Sequence, residues 1–296
     1  MDIISPQVSR PNFLLYLILS FVLGLFLGGA AMMLILGPEG ESILNSSAES
    51  LGVAGRQQLR LAQSVSHLLT FTVPAIFIAT RVYPKLWSKA LGLTTKIDSK
   101  GVLYAVLLVI VSLPIVAFVQ YLNLQLELPE WASQQEVSTN NLVESILTHE
   151  KPGELLLLFF TIAIVPAIGE ELLLRGIIQA RLLPLWFHSV HLQAWFTAFF
   201  FGLMHLELAG ILPRCLLGAA FGYAYLWSRS IWVPILLHFL FNGLQAAVVI
   251  YSGEFIADTE VTETPSIALT LIAIAGAAAI FYYGQQHYQQ RQAISA

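Results

Sequence analysis

Charged side chains are scarce in this chain. Only 11% of its 296 residues are Asp, Glu, Lys or Arg, against about 25% in ordinary soluble domains. With 57% of the residues hydrophobic, a water-soluble globular fold is excluded, and the class is an all-α polytopic membrane protein. Cysteine is scarcer still: Cys215 stands alone, so an intramolecular disulfide and any C-x-x-C metal or redox motif are ruled out. There is no Gly-rich phosphate loop, and no basic patch that would recruit nucleic acid. No internal repeat is visible. The net charge of −4 carries little meaning, because the charges lie in the loops.

What is present is a series of apolar runs. The run 13–36 is uncharged and long enough to cross a hydrocarbon core of about 30 Å. It is too long for the apolar region of a signal peptide, and its head, with Arg10 as the one basic residue, is too weakly basic. Its Gly24-x-x-x-Gly28 spacing suits close helix packing. Further runs cover 61–82, 101–122, 155–178, 193–206, 211–227, 231–251 and 266–283. The fifth is short, and is expected to be tilted or partly interfacial. The expectation is about eight transmembrane helices enclosing a conical or bundled intramembrane cavity. Three regions follow: 1–154 with three helices and an acidic loop, a core over 155–251, and 252–296 with an acidic loop, a last helix and a tail.

The loops set the orientation. Arg81, Lys85, Lys89, Lys96 and Lys100 face a single acid, Asp98, so the positive-inside rule puts that loop in the cytoplasm. Alternation then places three acidic segments outside: 37–60 with Glu39, Glu41 and Glu49; 123–153 with Glu127, Glu130, Glu136, Glu144 and Glu150; and 252–265 with Glu254, Asp258, Glu260 and Glu263. Arg10, Arg181, Arg229 and Arg291 fall on the basic side, so both termini are expected in the cytoplasm of a cell-membrane protein. Arg56 and Arg60 are the exceptions, since they belong to an outside segment. The 123–153 stretch reads as a loop with a short interfacial helix, and 285–296 as a polar, mobile tail.

Against this background Ile168–Gly176, I-G-E-E-L-L-L-R-G, is out of place. A carboxylate or guanidinium near mid-helix costs about 2.5–3.5 kcal/mol even on lenient insertion scales, and Glu170, Glu171 and Arg175 are three such groups. Glu171 and Arg175 are one turn apart and can pair along the helix. Glu170 is rotated about 100° away and stays available. His205, one turn after Phe201, and His238, one turn before Asn242, are the other polar groups at membrane depth. Each has a plainer reading as an interhelical hydrogen-bond partner, and Glu171–Arg175 reads as scaffold. Their conjunction marks a site.

Weaker candidates surround them. His188 and His191 are expected to be solvated at an interface, and Glu207, Arg214 and His67 to snorkel near helix ends. Gly218-x-x-x-Gly222 is a packing face. Trp186, Trp195, Trp227 and Trp232 read as an aromatic belt.

Glu170-Glu171-x-x-x-Arg175, Phe201-x-x-x-His205 and His238-x-x-x-Asn242 resemble, in order and spacing, the motifs of the CPBP family of type II CAAX proteases, bacteriocin-processing enzymes and their Abi relatives. The resemblance covers about 155–251. It implies an intramembrane endopeptidase acting on a peptide or protein at the membrane, lipidated or plain, with no cofactor. Glu170 and His205 would activate a water, and His238 and Asn242 would hold the oxyanion. Glu171, Arg175 and Phe201 would support them. Two alternatives stand beside this reading. One is a zinc protease with Glu170, His205 and His238 as ligands; the other is a non-catalytic scaffold or bacteriocin-immunity protein. A proton-relay transporter is disfavoured, since no pair of broken helices appears.

Overall fold

The computed structural model describes residues 5–45, 50–252 and 264–295. Among them the chain is helical throughout its ordered elements, with no strand. The principal helices are α1 (Arg10–Leu36), α2 (Val53–Val82), α3 (Ser99–Leu124), α4 (Glu130–Leu147) and α5 (Pro152–Leu185). They continue with α6 (Val190–Leu203), α7 (Ile211–Ser228), α8 (Trp232–Ser252) and α9 (Ile267–Ser295). Seven of the described helices are long and apolar enough to cross a membrane. At 14 residues α6 is about 21 Å long, short of a hydrocarbon core of about 30 Å, so it is not among the seven spans where about eight were expected. The protein is an integral, multi-pass membrane protein.

Contacts sort the helix ends into two layers. At one end Gln7 N donates to Val82 O, Asp98 N to Ser228 O, and Arg181 Nε to Ala90 O. At the other end Gln58 Nε2 donates to Ile35 O and Asn123 Nδ2 to Leu208 O. Gln7 near the start and His287 and Arg291 near the end of the described chain therefore lie at the first end, with the lysine-rich segment 83–98. The tail expected to be mobile is instead the last turns of α9. Trp227 Nε1 donates to Gln285 Oε1, His287 Nε2 contacts Asp98 Oδ2 at 2.8 Å, and Arg291 pairs with the same carboxylate. Trp227 accordingly leaves the expected aromatic belt. It is buried against Phe281 and Gly284, whereas Trp186, Trp195 and Trp232 stay exposed.

Close packing depends on the glycines where it was expected. A Cβ on Gly24 would stand 2.6 Å from Leu69 O, and one on Gly28 2.8 Å from Ser66 O, so α1 and α2 meet backbone to backbone. In α2 and α5 a widened π-turn, Leu68–Thr72 and Phe160–Ile164, runs up to Val73-Pro74 and Val165-Pro166. Proline lacks the N–H that would close the preceding turn and its ring crowds the carbonyl one turn back, so the helix widens there. The 123–153 stretch forms α4, whose buried Glu136 accepts from Ala209 N and ties it to the start of α7. The acids Glu49, Glu254, Asp258, Glu260 and Glu263 lie outside the described residues.

Candidate active site

The site is built on α5 just past Pro166. Arg175 Nη1 donates to Glu171 Oε1 at 2.7 Å, both side chains fully buried, so the pair expected from the four-residue spacing is present. Arg175 Nη2 reaches Gly218 O at 2.8 Å, and one turn on Gln179 Nε2 reaches Gly222 O at 3.0 Å. The absent side chains at Gly218 and Gly222 leave those carbonyls open to a second donor. Phe201 and Phe221 close over the guanidinium, with ring centroids at 5.1 and 5.7 Å.

The histidines are braced from behind. His238 Nδ1 lies 3.0 Å from Glu171 Oε1, and its ring stacks on Phe221. His205 Nδ1 lies 2.7 Å from Phe201 O. A carbonyl can only accept, so His205 Nδ1 carries its proton and the neutral ring keeps a lone pair on Nε2. Phe201 touches both imidazoles edge-on, at 5.0 Å from His205 and 5.7 Å from His238. Asn242 is on the same face of α8 as His238, and its Nδ2 donates to Ile162 O at 3.2 Å. That is the carbonyl one turn before Pro166, which has no N–H to offer it.

Glu170 departs from the spacing argument in its partner. Oε1 meets His67 Nε2 at 3.0 Å, and His205 and His238 lie within electrostatic reach. His67 does not snorkel. It sits at mid-bundle, stacked on Phe71 at 4.4 Å, because α2 begins at Val53 rather than near residue 61. Arg56 and Arg60, which made that first turn look like loop, are buried against Glu154. The one sequence signal for His67 was its distance from the nearest charge, Arg60. Buried polar atoms without a hydrogen-bond partner among the described residues gather here: His67 Nδ1, Thr72 Oγ1, Glu170 Oε2, Glu171 Oε2 and Arg175 Nε. Native interiors leave few such atoms, and five of them belong to these neighbouring side chains.

Other candidates are elsewhere. His191 Nδ1 pairs with Tyr223 Oη at 2.9 Å rather than being solvated, and Arg214 pairs with Glu207. Among the described residues no group of at least three His, Cys, Asp or Glu side chains is arranged to hold a metal ion. A cavity of about 260 Å³ between α3, α6, α7 and α9 is lined by Leu108, Trp195, Ala220 and Phe281 among others, and touches none of the site residues.

Helical passes around an ionisable cluster at membrane depth define the class, a polytopic membrane protein with a buried glutamate–histidine centre. Residues 152–244 match the family model of type II CAAX prenyl endopeptidase, Rce1-like. Over this segment the chain is similar to the CAAX-type family of membrane proteases. No curated protein and no solved structure matches it. The match takes in every residue of the three motifs; His67 lies outside it.

Proposed function

We propose that the protein is an intramembrane endopeptidase that cleaves a peptide or protein at the membrane with a water activated by Glu170 and His205. The observation that carries this reading is the contrast between neighbouring carboxylates. Glu171 Oε1 is held by the Arg175 guanidinium and by His238, whereas Glu170, almost as deeply enclosed, bonds one imidazole and no described guanidinium. A general base must not already be neutralised by a fixed cation. Glu170 takes a proton from the water, the hydroxide adds to the scissile carbonyl carbon, and the C–N bond then breaks as the proton passes to the leaving amine. His205 turns the lone pair of Nε2 toward the same water. His238 and Asn242 serve the oxyanion. Asn242 retains its second amide hydrogen.

Imidazoles braced through Nδ1 are also what zinc sites use. The metal-free route is the reading proposed here, and the chelator arm below tests it against zinc. A scaffold or immunity role leaves the un-neutralised Glu170 without a purpose. The basic end of the bundle is assigned to the cytoplasm, with both termini; thiol labelling of Lys85→Cys on intact cells and inverted vesicles reverses that assignment if intact cells react. For the chemistry, the purified protein and Glu170→Gln are compared on prenylated CAAX-type and plain fluorogenic peptides, with and without chelator. Cleavage by wild type alone, insensitive to chelator, is expected. Equal cleavage by Glu170→Gln removes the base assignment, and zinc-restored loss on chelation replaces the metal-free route.

A further inference from the structure

We infer that His67, on a helix outside the family-matched segment, is a positioning residue for Glu170; this rests on Glu170 being the base. An ionised carboxylate only accepts, so the 3.0 Å contact makes His67 Nε2 the donor and Glu170 Oε1 the acceptor. That bond restrains the carboxylate through Oε1 and leaves Oε2 without a protein partner. The imidazole is itself held. It stacks on Phe71, and Gly169 lets α5 approach so closely that an added Cβ would lie 3.3 Å from His67 Cε1 and 2.8 Å from Thr72 Oγ1. The donor enters from α2, which the π-turn Leu68–Thr72 opens immediately after His67. A misdirected base costs on the order of 10²-fold in rate, and no other described side chain hydrogen-bonds Glu170.

The test uses the full chain in nanodiscs, with a fluorogenic prenylated CAAX-type peptide as probe and histidine ¹⁵N NMR as a second readout. His67→Leu is expected to lower kcat about 10²-fold with KM nearly unchanged. His67→Gln, whose Nε2 donates from almost the same place, recovers most of that loss. The His67 resonance, identified by its disappearance in His67→Gln, should report an Nε2–H tautomer and move in Glu170→Gln. Wild-type kcat in His67→Leu, or equal losses in both variants, overturns the inference. If wild type cleaves nothing, the enzymatic reading fails on that peptide while NMR still decides the pairing. An unmoved His67 resonance in Glu170→Gln refutes it, and a shifted one sustains it.

Discussion

Helices α2 and α5 meet through two buried carboxylates, and the two are treated in opposite ways. Near one end Glu154 is surrounded. Its Oε1 accepts from Glu150 N, Lys151 N and Arg56 Nη2, and its Oε2 from Arg56 Nε and Arg60 Nη1. Arg60 also donates to the Ile146 and Thr148 carbonyls. At mid-bundle Glu170 has a single partner, His67. Both carboxylates are nearly inaccessible, at 1% and 6% exposure, so burial does not distinguish them. Satisfaction does. A carboxylate with all its lone pairs engaged has no capacity left for a reacting molecule, while one held by a single bond keeps that capacity at a cost in stability.

Exchanging each acid separates the two roles. Glu170→Gln should lower kcat by about 10²–10⁴-fold while leaving the melting temperature unchanged or raised, because an ill-compensated charge is removed; an intact rate would put the two carboxylates in one category. Glu154→Leu should do the reverse. Leaving Arg60 without a carboxylate, and Arg56 with Glu150 alone, costs about 3–5 kcal/mol, seen as an earlier unfolding transition in detergent, with kcat per folded molecule retained. Replacing all three by Leu and Met is expected to recover most of that stability, and failure to recover it would give the cluster a role beyond charge balance.

Between the clusters, Gly169→Val tests the close approach itself. Overpacking against Thr72 and Phe71 should cost about 1–3 kcal/mol and reduce kcat more than KM; a neutral result would detach helix spacing from the site. The smallest effect belongs to a third buried acid. Burial alone would raise the Asp98 carboxyl, but Arg291 and His287 together hold it below the usual carboxylate range. A depressed folded value contributes stability above the unfolded pKa of about 3.9, and that stability is lost as pH falls through the folded value. Asp98→Asn preserves the helix cap, so its deficit of about 1 kcal/mol or less should be visible at pH 7 and shrink toward pH 3. A deficit independent of pH would assign the effect to packing.

The helical class and the mid-bundle polar residues were legible because hydropathy and four-residue spacings are local. Glu171–Arg175 and the Gly24–Gly28 face followed from one helix at a time. What escaped depends on partners far along the chain. Arg56 and Arg60 look like loop residues until Glu150 and Glu154 pair with them, and that misread boundary carried His67 to a helix end. Residues 285–295 look like a free tail until Asp98 and Trp227 hold them. Asn242 looks like an oxyanion donor alone, yet it also serves the carbonyl that Pro166 leaves open.

The Arg56–Glu154 link also bears on how the chain enters the bilayer. The residues it joins are 98 apart in sequence, so α2 is synthesised with two guanidinium groups long before their counter-charge exists. A guanidinium without its carboxylate is costly in hydrocarbon, so the burial of that end of α2 depends on a helix made later in the chain.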